Sequence, residues 1–290
     1  MEQTALRLGT RTFGPTDLVV MAIVNRTPDS FYDAGSTYET SAALDRLDEV
    51  VEAGADVVDV GGVKAGYGDP VDAAEELRRT ADFVELARAR HPGVVLSVDT
   101  WRSEVADELC KRGADLVNDT WGGHDPRVAE VAARHGVGLV CTHAGGLAPR
   151  TDPYRPAYDD VVATVVSAVT SLADRAVSLG VRRDAVLVDP THDFAKNTRH
   201  SLELTRRLDV LVATGWPVLV ALSRKDFVGE TLDVGKQDRL IGTLAATAVS
   251  AWAGARVFRA HDVAETRQCL DMVSSIQGHR PPAVSRRGVV

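Results

Sequence analysis

The stretch Val19-Val20-Met21-Ala22-Ile23-Val24 runs straight into Asn25-Arg26-Thr27-Pro28-Asp29-Ser30. This junction decides between two parallel-sheet folds. A short, β-branched apolar run reads as a strand buried on both faces. A doubly wound, dinucleotide-binding sheet would follow its first strand with Gly-x-Gly-x-x-Gly; here that turn holds no glycine. The same unit, apolar run then polar turn then amphipathic helix, recurs along the chain. Strands are predicted over 19–24, 57–60, 94–98, 116–117, 138–141, 185–188, 218–222 and 256–258. Helices are predicted over 42–53, 73–90, 103–112, 127–134, 159–179, 199–213, 239–253 and 263–273. Eight βα units spaced about 33 residues apart match the βαβ period and close a barrel. The predicted fold class is therefore α/β, a (β/α)8 TIM barrel. Gly54, Gly113 and Gly254 follow helices as C-cap glycines. Residues 5–13 read as a short N-terminal hairpin at the barrel floor. No Pro/Ser-rich linker divides the chain, so residues 1–290 read as one domain with a core over about 6–275. The tail 277–290 is expected to be flexible.

Composition narrows the function. The 290 residues are 44% hydrophobic and 26% charged, with a net charge of −8. That balance disfavours nucleic acid or an anionic membrane as partner. The longest purely apolar run, Leu18–Val24, is far short of the ~20 residues that span a bilayer, and the N-terminus does not read as a signal peptide. Three widely spaced cysteines, Cys110, Cys141 and Cys269, suggest reduced thiols and a cytoplasmic location. Among 33 basic residues only Lys64, Lys111, Lys196, Lys225 and Lys236 are lysines, so each retained lysine draws interest.

In such barrels the chemistry lies at the C-terminal strand ends. Those ends carry Asn25, Asp59, Asp99, Asn118, His143, Asp189, Ser223-Arg224-Lys225 and Arg259-Ala260-His261. Carboxylates paired with an amide suit a flat heterocycle rich in N–H donors. Arg224, Lys225, Arg259 and His261 sit where barrels commonly bind phosphate. Structural readings compete: Asp59 before Gly61-Gly62 reads as a turn cap, Asp99 as an N-cap, and His143 as a wall residue. The histidines lack metal-site spacing, and Gly-x-Ser-x-Gly is absent.

The motifs Asn25-Arg26-Thr27-Pro28-Asp29-Ser30-Phe31, Asp59-Val60-Gly61-Gly62, Ser97-Val98-Asp99-Thr100, Asn118-Asp119, Asp189-Pro190, Ser223-Arg224-Lys225 and Arg259-Ala260-His261-Asp262-Val263 resemble, in order, those of dihydropteroate synthase. The resemblance runs from about Leu6 to Val273. It implies a TIM barrel, a homodimer, and the joining of 6-hydroxymethyl-7,8-dihydropterin pyrophosphate to 4-aminobenzoate with Mg²⁺ as cofactor. It implies that Asp99, Asn118, Asp189 and Lys225 hold the pterin. Asn25, Arg259 and His261 would hold the pyrophosphate, with Asn25 beside the metal. Ser223 and Phe194 would line the aminobenzoate side. Lys225, Asp99, Arg259 and His261 would carry the reaction, whose demands are positional and electrostatic.

Two segments depart from the family. Where it shows Glu-Ser-Thr-Arg-Pro-Gly, this chain has Val63-Lys64-Ala65-Gly66-Tyr67-Gly68. Where it shows Asp-Pro-Gly-x-Gly-Phe-Gly-Lys, this chain has Asp189-Pro190-Thr191-His192-Asp193-Phe194-Ala195-Lys196. A carboxylate at 193, 4–8 Å from a polyanion, costs roughly 2–4 kcal/mol at an effective dielectric of ~20. Arg26 and Lys64 are candidate replacements for the lost charge at 66. Three readings follow: a synthase with a divergent loop, a non-catalytic pterin-binding paralogue, and a methyltetrahydrofolate-type methyltransferase. A homodimer is expected through the last helices. On the 239–253 helix, Leu240, Leu244, Val249 and Trp252 read as facing the core, with Thr243, Ala246, Thr247, Ser250 and Ala251 outward.

Overall fold

The computed structural model describes residues 5–27, 39–64, 66, 69–151 and 155–288. A hairpin, β1 (Leu6–Leu8) and β2 (Arg11–Phe13), precedes the barrel. The barrel strands are β3 (Val19–Asn25), β4 (Val57–Gly61), β5 (Val95–Asp99), β6 (Leu116–Asp119), β7 (Gly138–Thr142), β8 (Val186–Asp189), β9 (Leu219–Ala221) and β10 (Val257–Ala260). They form one parallel eight-stranded sheet in the order β8-β7-β6-β5-β4-β3-β10-β9. A parallel bridge, Val188 to Val218, closes the ring between β8 and β9. Outside lie α1 (Thr40–Glu52), α2 (Ala73–Arg90), α3 (Ser103–Lys111), α4 (Arg127–His135), α5 (Val161–Ser178), α6 (Thr198–Arg206), α7 (Leu208–Val212), α8 (Asp226–Leu232), α9 (Leu240–Trp252) and α10 (Val263–Ile276).

Strand alternation divides each strand between two environments. On β3, Val20, Ala22 and Val24 point to the helices, while Val19 and Met21 point into the barrel. The inner floor is apolar: Val19, Met21, Val57, Val95, Leu116, Val140, Leu187, Leu219 and Val257 meet there. Leu6, Leu8 and Phe13 of the hairpin plug it from below. Gly138 is required at this plug, because a Cβ there would lie 2.8 Å from Leu8 and 2.7 Å from the Ala185 carbonyl. On most of the eight strands the inward side turns polar two residues beyond the floor. Asp59, Ser97, Asn118, Asp189 and Arg259 follow Val57, Val95, Leu116, Leu187 and Val257 in this way.

The C-cap glycines behave as the sequence indicates: Gly54, Gly113 and Gly254 have φ of 95°, 107° and 105°. Other details differ from expectation. The helix predicted over 199–213 is broken at Arg207 into α6 and α7, and α8 follows Lys225 where the sequence predicts no helix. The predicted facing of α9 fails at most positions, although Leu240, Leu244 and Ala246 are half-buried. Thr243, Thr247, Ser250 and Ala251 face inward, while Ile241, Val249 and Trp252 are exposed by 81%, 55% and 61%. Small side chains let α9 approach the barrel closely, and the Thr243 hydroxyl there accepts the Arg224 N–H at 3.1 Å. By length and composition α5 could cross a membrane; here Val162, Val165, Val169 and Ala173 bury one face of it against the sheet. Beyond Ile276 the chain runs largely exposed, without helix or strand, as far as residue 288.

Candidate functional site

The C-terminal strand ends enclose a cavity of about 290 Å³. Asn25, Asp99, Asn118, Asp189, Phe194, Ser223, Lys225, Arg259 and His261 all line it. The sequence-predicted set is therefore brought together at one place. Motif residues Pro28, Asp29, Ser30 and Phe31, and loop residues Ala65, Tyr67 and Gly68, lie outside the described residues.

Asp59 is the hub beneath this cavity, not a turn cap. Fully buried, it accepts from Ser97 Oγ at 2.6 Å, Asn118 Nδ2 at 3.1 Å and Arg259 Nε at 2.6 Å. Arg259 Nη2 also donates to Asp99 at 2.9 Å, and Thr120 Oγ1 donates to Asp99 at 2.6 Å. Burial, with Asp59 nearby, pushes the Asp99 carboxyl up to about 7 against the pull of Arg259. Asp99 is therefore held by Arg259 and Thr120 and does not cap α3, whose N-cap is Arg102. Asp189 accepts the Thr191 N–H at 2.6 Å, and burial raises its pKa although Lys225 opposes this.

Lys225 donates to the His192 carbonyl and lies 4.9 Å from the centre of the Phe194 ring. Burial lowers its pKa, and Asp193 and Asp189 counteract that. Lys196 is a different kind of lysine. Its ammonium donates to the carbonyls of His143, Thr191 and Phe194 at 2.9, 3.0 and 2.8 Å, so it ties the loop after β8 together. Burial brings it down to about 7. His261 Nδ1 lies 3.0 Å from Ser223 Oγ, and burial followed by Arg259 pushes its pKa down to about 3. His143 is buried but is not among the residues lining the cavity, and its Nδ1 has no hydrogen-bond partner among the described residues; burial, chiefly, brings its pKa down to about 4.

Two cations read as anion-binding have structural posts. Arg224 forms a two-point pair with Asp262, at 2.9 and 2.7 Å. Arg26 is buried, donating to the Arg79 carbonyl at 3.1 Å and Thr40 Oγ1 at 3.0 Å, with its guanidinium over the Phe83 ring. It holds α2 to the start of α1 and does not replace the charge absent at 66. Lys64 does line the cavity. So does Arg150, which sequence reasoning misses; from the loop after β7 it donates to the carbonyls of Gly66, at 3.2 Å, and Asp69.

The loop after β8 carries the clearest local departure. Thr191, Asp193 and Ala195 have φ of 55°, 69° and 51°, at the three places where the family pattern has glycine. A side chain in the left-handed region costs about 1–2 kcal/mol per residue. Partners compensate: Thr191 Oγ1 accepts the His143 N–H at 3.1 Å. Asp193 accepts from Ser201 Oγ at 3.0 Å and the Phe227 N–H at 3.2 Å. Trp121, another lining residue not singled out in the sequence, packs edge-on against Phe194 with ring centres 5.3 Å apart.

Fold and site together define an α/β-barrel protein whose mouth gathers carboxylates, amides and cations around one cavity. The chain belongs to the pterin-binding enzyme family, which it matches over residues 21–261, and its relatives are dihydropteroate synthases and their paralogues. It is 58% identical over 275 residues to inactive dihydropteroate synthase 2 of Mycobacterium tuberculosis (strain ATCC 25618 / H37Rv), covering 93% of this chain and 86% of the relative. It is 35% identical over 260 residues to dihydropteroate synthase of Bacillus subtilis (strain 168), covering 89% and 88%. Among solved structures, dihydropteroate synthase from Thermus thermophilus in complex with 4-aminobenzoate superposes with a TM-score of 0.84 at 38% identity, covering 94% of this chain and 99% of that one.

Proposed function

We propose that this chain is a single-domain pterin-binding protein that carries out the synthase reaction weakly or not at all. The observation behind this reading is the convergence of Asp99, Asn118, Asp189 and Lys225 on one cavity whose wall also holds Asp193. In this reading the Asp189 carboxylate accepts from the N–H edge of the heterocycle, with Asp99 and Asn118 fixing its orientation. Lys225 donates from the opposite side, and Phe194 with Ser223 borders the second-substrate side.

The transferase step is the bond from the pterin methylene to an arylamine nitrogen, with diphosphate leaving. Asn25, Arg259 and His261 stand where the leaving group would lie. Asn25 offers one neutral oxygen, and no group of three His, Cys, Asp or Glu that could hold a metal occurs among the described residues. This donor set fits a magnesium ion that arrives with a diphosphate, because Mg²⁺ commonly keeps waters and phosphate oxygens as ligands. Such an ion would neutralise leaving-group charge.

We assign the protein to the cytoplasm, a reading supported by its unpaired cysteines, and expect a homodimer. Calorimetry with 6-hydroxymethyl-7,8-dihydropterin tests the central reading. Wild type binds, and Asp189→Ala weakens binding by about 2–4 kcal/mol, as for loss of a buried charge-assisted partner. Equal affinity in the two proteins refutes the assignment of Asp189.

A further inference from the structure

We propose that the cavity selects a pterin-class heterocycle whose 6-substituent is uncharged, and that the Asp193 carboxylate is the group that turns a diphosphate away. This rests on the pterin reading above and names the ligand more narrowly.

The charge arrangement carries the inference. Each inner cation already faces carboxylates of the chain. Arg259 is shared by Asp59 and Asp99, and Arg224 is committed to Asp262, both side chains being 9% exposed. Lys225 lies among Asp189 and Asp193, the two acidic groups that most oppose the lowering of its pKa. His261, the remaining basic side chain there, is held neutral at physiological pH by burial. An incoming polyanion would thus meet cations that each already face a carboxylate of the chain, Asp59 on Arg259, Asp262 on Arg224 and Asp193 near Lys225, which weakens their pull on it.

Asp193 is also held in place. Ser201 Oγ and the Phe227 N–H hold its two oxygens separately, at 3.0 and 3.2 Å. Its backbone is left-handed at φ 69°, and its own N–H donates to Ser201 Oγ at 3.1 Å. The nearby wall is aromatic: Trp121 stacks edge-on to Phe194 and both line the cavity. A neutral hydroxymethyl or apolar substituent suits that wall and is not repelled by Asp193. The cations Lys64 and Arg150 sit on the loops of the rim. Arg150 is tied to the loop after β4 by donating to the Gly66 and Asp69 carbonyls, and the opposing pull of these two rim cations is weighed directly by the wild-type affinity ratio below.

The test compares binding of 6-hydroxymethyl-7,8-dihydropterin and of its diphosphate, by calorimetry with and without Mg²⁺. The expected result is that wild type binds the alcohol at least as tightly as the diphosphate. Asp193→Asn, which keeps an acceptor and tolerates the left-handed backbone, shifts the ratio of affinities toward the diphosphate at least tenfold. A wild-type preference for the diphosphate overturns the inference and leaves the pterin reading standing. An unchanged ratio in a folded Asp193→Asn protein also overturns it. Binding of neither compound overturns both readings. If the variant does not fold, the wild-type ratio alone decides.

Discussion

Asp59 and Asp99, on neighbouring strands, share one guanidinium: Arg259 reaches Asp59 through Nε at 2.6 Å and Asp99 through Nη2 at 2.9 Å. Ser97 and Asn118 complete the shell of Asp59. Deleting the Asp59 carboxylate leaves the buried Ser97 and Asn118 donors short of a partner and takes from the half-buried Arg259 guanidinium one of its two carboxylates. Removing one member of a buried pair typically costs about 3–5 kcal/mol. Asp59→Ala is accordingly expected to lower unfolding stability by about 3 kcal/mol in urea denaturation. A loss below about 1 kcal/mol would show that the hub is not structural.

Asp99 gives the fold a pH signature. Its carboxyl sits near 7, chiefly because of burial, against about 3.9 in an unfolded chain. Between those values the folded protein keeps a proton that the unfolded chain has shed. Rising pH therefore removes stability across this window, by at most about 1.4 kcal/mol per pH unit for one group. His143 and His261, brought down to about 4 and about 3, act the other way, since folding withholds protons from them below their ordinary value. The difference between wild type and Asp99→Asn isolates the aspartate. Wild type is expected to lose ground to the variant as pH rises from 4.5 to 7. A constant difference would contradict this.

The outward face of α9 predicts self-association. Ile241, Val249 and Trp252 are exposed there, with Met272 and Ile276 of α10 exposed as well. Apolar patches of this kind mark interaction surfaces, and a twofold interface lets one patch pair with itself. Light scattering at micromolar concentration is expected to report twice the chain mass. Trp252→Glu should weaken the dimer at least a hundredfold and give the single-chain mass. A single-chain mass for wild type refutes the interface.

Much of the barrel is legible in the sequence because period-two alternation writes itself into each strand. Floor residues such as Val95 and Leu116 are followed two places later by Ser97 and Asn118, so the residue order alone marks an inward polar end. Asp59 reads wrongly as a turn cap because Gly61-Gly62 follows it closely; a turn cap and a buried hub look alike in one dimension. The face of α9 comes out largely inverted because large apolar side chains usually point inward, whereas this helix packs through threonine, serine and alanine. Arg150 and Trp121 come from loops without periodicity, and only the path of the folded chain brings them to the mouth.

The final prediction concerns turnover. Relative to the family pattern, the loop after β4 has lost a hydroxyl at Ala65 and a guanidinium at Gly66. Loss of one donor aimed at developing charge typically costs 10²–10³ in rate. Arg26 does not restore the charge, being held by Arg79 and Thr40. A Cβ at Gly66 would meet Lys64 Cε at 3.8 Å, an ordinary contact, so the first carbon of an arginine side chain fits among the described residues. Asp193 stands on the opposite wall beside Lys225. Release of diphosphate from the dihydropterin diphosphate, with saturating 4-aminobenzoate and Mg²⁺, is expected at about one hundredth of an ordinary synthase's rate or below. The triple variant Ala65→Thr, Gly66→Arg, Asp193→Gly should raise it at least tenfold, since it returns two donors, removes a repelling charge and relieves a left-handed side chain. A wild-type rate equal to that of an ordinary synthase would refute the prediction outright. A slow wild type with no gain in the triple variant would instead place the defect elsewhere, with the Asp59–Arg259–Asp99 clamp the next element to alter.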